Sequence, residues 1–140
     1  AVRISAATRD ISEILAAERD ALATHRRSPP TQKRIAYHPP CTLQHGQKLG
    51  GDVEALLAQA GFALTPVAEK HLCCGSAGTY SILQPEIAGA LKTRKLGHLQ
   101  AGAPEMIATA NIGCLTHLQS ASPIPVRHWV ELLDEAMAAS

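Results

Sequence analysis

Three times along this chain a short apolar run gives way to a cysteine-bearing loop and then to a helical pattern. Few folds accommodate that rhythm. RIAYHPPC, residues 34–41, reads as a buried strand ended by its prolines, with Cys41 just past the end. FALTPVA, residues 62–68, reads as a second strand weakened by Pro66, and the loop after it carries Cys73 and Cys74. EMIATA, residues 105–110, reads as a third, followed by a short helix beginning near Cys114. IPVRH, residues 124–128, is a fourth strand with no cysteine behind it.

The intervening segments carry helical periodicity. Val53, Leu56, Leu57 and Ala60 share one face of a helix that starts at Asp52 and stops at Gly61, a C′ glycine. From Gln84 to Gln100 a second pattern has Pro85 in its first turn, Ile87, Leu91 and Leu99 facing inward, and Gly102 closing it. WVELLDEAM predicts a terminal helix with Val130, Leu133 and Met137 on one side. Strands alternating with helices imply parallel pairing and right-handed crossovers. The expected fold class is therefore α/β: a small parallel sheet of about four strands with flanking helices, a Rossmann-like three-layer arrangement.

Upstream, Ile11, Ile14, Leu15 and Leu22 form the stripe of an amphipathic helix over residues 10–22, with Asp10 and Glu13 spaced as a capping box. His25 to Lys33, with Ser28, Pro29 and Pro30, reads as a linker. The expected division is residues 1–33, an N-terminal helix and linker from a longer chain, and residues 34–140, the cysteine-rich domain. A start without Met, on AVRISAATRD, fits a piece of a longer polypeptide.

With 140 residues and a net charge of +1, the chain has the size of one domain and no electrostatic footprint for nucleic acid. One Phe, one Trp and two Tyr leave few rings for base stacking. No apolar run approaches the roughly 20 residues that span a bilayer, and no signal-peptide core opens the chain. A cytoplasmic location is expected, peripheral at the inner membrane where a complex holds it there. In that compartment four cysteines point to metal or redox chemistry rather than to a disulfide framework.

In an open parallel sheet the loops leaving the carboxyl ends of the strands gather on one edge, where ligands bind. Cys41, Cys73, Cys74 and Cys114 all occupy such loops, so they are expected to converge on one metal or iron-sulfur site. Helix N-termini behind each loop would favour thiolates, the metal-binding form. Gly75 and Gly78 let the backbone come close and aim N–H groups at the sulfurs, which marks them as cofactor-binding positions. His117, one helical turn beyond Cys114, is a candidate fifth ligand or else an ordinary helix histidine. His45 reads more simply as solvated, and His71 as a surface or core histidine. GSAG lacks the spacing of either nucleotide-binding glycine pattern. Arg127, His128 and Trp129 either line the site or pack, and Lys92, Arg94 and Lys95 read as an exposed helix face.

The pattern Cys41, 31 residues, Cys73-Cys74-Gly75, then Cys114 with 39 residues between Cys74 and Cys114, resembles the cysteine-rich CCG domain of heterodisulfide reductase and related redox subunits. HLCCGSAGTYSILQPEIAGALKTRKLGHL, IATANIGCLTHLQS and PVRHWVELLD look most like the C-terminal CCG domain of glycolate oxidase iron-sulfur subunits. The resemblance implies an electron-transfer domain of a glycolate dehydrogenase complex with no catalytic residue of its own. The implied partners are a flavoprotein subunit carrying FAD and the remainder of the same polypeptide, with ferredoxin-type cysteine runs. It also implies a 4Fe-4S cluster, noncubane in heterodisulfide reductase relatives, whose motif ends in C-x-x-C. Here His117 stands at the last position, so a cluster, zinc or empty thiols stay open. A structural zinc or thiol domain that docks the flavoprotein, a lactate or heterodisulfide counterpart, and a cysteine-nucleophile enzyme are the alternative readings.

Overall fold

The computed structural model describes residues 1–27 and 29–137; Ser28 of the expected linker and the last three residues of the expected domain lie outside them. Among the described residues the strands are β1 (Arg34–His38), β2 (Ala63–Leu64), β3 (Met106–Thr109) and β4 (Val126–His128). They form one sheet of order β2-β1-β3-β4, with every pairing parallel. The expected α/β class is what the chain adopts. Both edge strands are shorter than the apolar runs that announce them. Pairing stops at Thr65, just before Pro66, and starts at Val126, just after Pro125, because proline has no N–H to donate to a ladder.

The helices are α1 (Val2–Ala7), α2 (Ile11–Ala17), α3 (Arg19–Thr24), α4 (Asp52–Gln59), α5 (Tyr80–Leu83), α6 (Pro85–Gln100), α7 (Ile112–Gln119) and α8 (Trp129–Ala136). Period-2 alternation along β1 sends Ile35 and Tyr37 to one face of the sheet and Ala36 to the other. The first face packs against α4 and α8 through Leu56, Leu57, Trp129 and Leu132. The second packs against α6 and α7 through Leu96, Leu99 and Leu118, and this cluster also contains Cys74 and Cys114. Three layers result. The chain steps from β1 outward to β2 and then back across β1 to β3, so strand order reverses between β1 and β3. At such a reversal the connections leave on opposite faces and open a crevice at the strands' carboxyl ends.

Several local expectations are revised. The single helix over residues 10–22 is two, broken at Glu18. The Asp10–Glu13 capping box forms, but the break turns Leu15 and Leu22 toward the core while Ile11 and Ile14 stay 43% and 49% exposed. Asp52 is the first residue of α4, not its cap; left-handed Gly51 precedes it. Gly61 closes α4 at φ 102°, as expected of a C′ glycine. In α6, Leu99 is buried but Ile87 is half exposed, and Lys95 takes an inward position instead. In α8 Leu133 is buried as expected and Val130 and Met137 pack partly buried against the same core, while the fully buried stripe adds Trp129, Leu132 and Ala136. Trp129 packs, His128 caps α8, and Arg127 pairs with Glu131 and Glu135, so that trio serves the helix start.

Candidate metal centre

Cys41 follows β1 after two buried prolines and opens a π-helical turn over residues 42–46. Gln44 steadies that turn by donating to the Pro39 carbonyl at 2.7 Å and the Lys70 carbonyl at 3.2 Å, which ties the first cysteine loop to the second. Cys114 sits in the first turn of α7, where the Asn111 side chain caps the helix by accepting from the N–H groups of Gly113 and Cys114.

Cys73 and Cys74 are held differently. No helix begins directly behind them, since residues 75–79 intervene before α5, so the expected helix N-terminus is missing there. A local N–H substitutes: Gly75 donates to Cys73 Sγ at 3.3 Å. Gly75 has φ 94°, and a Cβ on it would lie 2.5 Å from the Ala88 carbonyl oxygen of α6. Only glycine allows this loop to turn and press against the helix. From beneath, Lys95 donates to the carbonyls of Glu69 and Lys70, each at 3.0 Å. Lys95 is fully buried, which corrects its assignment to an exposed face; the aliphatic stem crosses the core and the ammonium is satisfied at the loop. Burial lowers its pKa against the opposing pull of Cys74, Cys41 and Glu69.

The three loops line one open cleft of about 540 Å³ with Cys41, Cys73, Cys74 and Cys114 all in its wall, together with Ser76, Gly78 and the exposed Ile112. The sulfurs divide by depth. Cys74 and Cys114 are buried; Cys41 and Cys73 are half-buried at the mouth. The Ser76 hydroxyl lies 3.4 Å from Cys74 Sγ and 4.0 Å from Cys114 Sγ. A hydrogen bond from Cys114 favours the Cys74 thiolate, with His38 and Ser76 assisting, and holds the Cys74 pKa far below the thiol range. The same bond and burial keep the proton on Cys114. Cys41 is pushed up to about 11, by burial first and then by the neighbouring Cys73.

One participant has no counterpart among the expected residues. His38, the last residue of β1, is fully buried, and neither ring nitrogen makes a well-aligned hydrogen bond, although the ring lies close enough to Cys74 to favour its thiolate. A ring nitrogen of His38 and the sulfurs of Cys74 and Cys114 all lie within 4.8 Å of one another. The signal was available. His38 is two residues beyond Ala36, so alternation puts it on the Cys74 and Cys114 face, and it precedes Cys41 at the same strand end. His117 is placed elsewhere: its ring faces the Ala88 carbonyl of α6, with Nε2 at 3.5 Å, away from the cleft wall. His45 and His71 are exposed. Thiolates with an imidazole make a soft-to-borderline donor set that fits iron or zinc, and the buried imidazole beside the two deep sulfurs agrees with that fit.

Known proteins are similar to this chain in sequence. Residues 35–119 match the family described as "Cysteine-rich domain", CCG. The chain is 55% identical over 105 residues to the glycolate oxidase iron-sulfur subunit of Escherichia coli, covering 75% of this chain and 26% of that protein. It is 32% identical over 111 residues to lactate utilization protein A of Shouchella clausii, covering 73% of this chain and 45% of the relative. It is 34% identical over 110 residues to the uncharacterized E. coli protein YkgE, with 73% and 45% covered. The chain thus spans between a quarter and a half of the length of these curated relatives. With its sulfur-bearing loops on one sheet edge and a family match running from β1 to the end of α7, the chain belongs to the cysteine-rich CCG domain family.

Proposed function

We propose that this chain is the thiolate-rich domain of an iron-sulfur electron-transfer subunit in a flavin-dependent oxidoreductase that oxidises a small 2-hydroxy acid, glycolate before lactate. The observation that carries the reading is the meeting of all four cysteines from three separate loops in one open cleft. Identity to an iron-sulfur subunit supports it. Cys41, Cys73, Cys74 and Cys114 hold an iron-sulfur cluster, 4Fe-4S in type, which supplies one-electron transfer when bound. The chain's own residues support its place: Gly75 presses the Cys73–Cys74 loop onto α6 and aims its N–H at sulfur, Gly78 lines the cleft, and Lys95 holds the loop through two carbonyls.

Hydride chemistry belongs in this reading to FAD on a partner flavoprotein subunit, and further clusters to the rest of the polypeptide beyond the domain over residues 34–140. Exposed Ile82, Leu83 and Ile87, on and just after the helix that follows the cysteine loop, offer an apolar surface for such a partner. No helix among the described residues is long and apolar enough to cross a membrane, in keeping with a cytoplasmic subunit that meets the inner membrane through its complex. Anaerobic reconstitution with iron and sulfide tests the reading. Iron-dependent visible absorption and an EPR signal on reduction are expected, both lost in Cys74→Ser.

The close trio of His38, Cys74 and Cys114 favours one second reading, a structural zinc that braces a docking domain. Stoichiometric zinc in anaerobically purified protein, with no uptake of iron, would select it.

A further inference from the structure

We infer that His38 is a metal ligand, the imidazole member of the inner half of the site, and that His117 is not. The inference rests on the proposed metal centre and adds to it the identity of the ligand that is not a thiolate. Three independent features of the fold converge on it.

The first is an unmet need. A fully buried imidazole whose ring nitrogens make no well-aligned hydrogen bond, and whose near polar neighbour is the Cys74 sulfur, has given up water for little in return. Folds keep such a group when something binds it. The second is separation. Metal-to-sulfur and metal-to-imidazole bonds of about 2.3 and 2.0 Å put two tetrahedral ligands of one ion about 3.5–3.8 Å apart. The His38 nitrogen, Cys74 Sγ and Cys114 Sγ are mutually within 4.8 Å, so side-chain rotations that close the gaps by about 1 Å or less bring them onto one ion.

The third is fixation. His38 pairs with Thr109 in the middle of the sheet, and the buried Thr109 hydroxyl donates to the His38 carbonyl at 3.0 Å. The imidazole therefore projects from a rigid strand at the point where strand order reverses, a good platform for a ligand. His117 has none of these features; it is partly exposed and its ring faces α6.

The ligand set is then an inner His38, Cys74 and Cys114 with an outer Cys41 and Cys73 at the mouth. A neutral imidazole in place of a thiolate leaves the site one negative charge less, so an iron centre here accepts an electron more readily than an all-thiolate one.

The test uses this chain labelled with 15N-histidine, loaded anaerobically with Co²⁺ alone and, separately, with iron and sulfide followed by reduction. Pulsed EPR reads the coupling of ligated imidazole nitrogen. Strong 15N coupling is expected in the wild type and in His117→Ala, and its loss in His38→Ala. Since His38→Ala can weaken loading itself, His38→Cys provides the second variant: it should load as the wild type does, lack the nitrogen coupling, and have a lower reduction potential. Metal bound with no nitrogen coupling, or coupling that survives in His38→Ala, overturns the His38 assignment and leaves the thiolate centre standing. Failure of the wild type to bind either metal overturns both.

Discussion

The two faces of the sheet are built from the same alternating strands but put them to different use. On the α4 and α8 face the buried residues are hydrocarbon and aromatic: Ile35, Leu56, Leu57, Trp129, Leu132. On the α6 and α7 face, the apolar packing of Leu96, Leu99 and Leu118 gives way toward the strands' carboxyl ends to Cys74 and Cys114, beside His38. Lys95, also buried, holds up the loop that brings Cys74 there. Hydrophobic packing is non-directional and tolerates small shifts. Polar groups out of water need specific partners at specific distances. One face can therefore stabilise the domain while the other positions chemistry, and perturbations of the two should differ in kind.

The strongest way to break that contrast is Trp129→Ala. Removing a fully buried indole should cost about 3–5 kcal/mol in urea unfolding, while Co²⁺ bound per folded molecule stays unchanged. If metal binding falls in proportion to stability, the faces are not separable. Gly75→Ala should behave oppositely. A non-glycine side chain at φ 94° costs about 1–3 kcal/mol, and the added Cβ collides with the Ala88 carbonyl, so Cys73 and Cys74 shift and Co²⁺ affinity should collapse well before the fold does. Isothermal titration beside urea melts on one preparation would show which loss is greater.

Lys95→Met sharpens the comparison further. It keeps the stem's volume but strips the Glu69 and Lys70 carbonyls of their donor, at a cost of about 1–2 kcal/mol. Faster hydrogen exchange confined to residues 69–75, with α4 and α8 unaffected, is the expected signature. The smallest effect concerns pH. Arg94 foremost, and also His98, hold the Glu69 carboxyl below its usual range. Because the folded-state value is depressed, this contribution is present above the ordinary carboxylate pKa and is lost as pH falls through the lowered one. Glu69→Gln should flatten the acid limb of the urea midpoint slightly, with less difference at high salt.

Much of this was legible in the chain. Apolar runs at residues 34–38 and 105–110, helical periodicity at 52–60 and 85–100, and a glycine closing the first helix led to a parallel α/β sheet with the cysteines on one edge, because strand and helix periods are local properties. The failures share a cause. Lys95 was read as solvated because charged residues usually are; nothing local announces that a neighbouring loop leaves two carbonyls above it. The spacing of His117 from Cys114 makes it a candidate ligand or an ordinary helix histidine, and only the packing of α7 on α6 puts its ring against the Ala88 carbonyl. His38 differs, because the period-2 pattern of β1 by itself puts it on the face of Cys74 and Cys114.

By itself the sequence determined the element order, the parallel sheet and the meeting of four cysteines at one edge, since these follow from backbone periodicity and the handedness of crossovers. The tertiary structure alone decided which sulfurs lie deep and which at the mouth, that Gly75 must be glycine, and how near His38 comes to Cys74 and Cys114. Depth, contact and partnership depend on how layers from distant parts of the chain pack, and no local pattern encodes those distances.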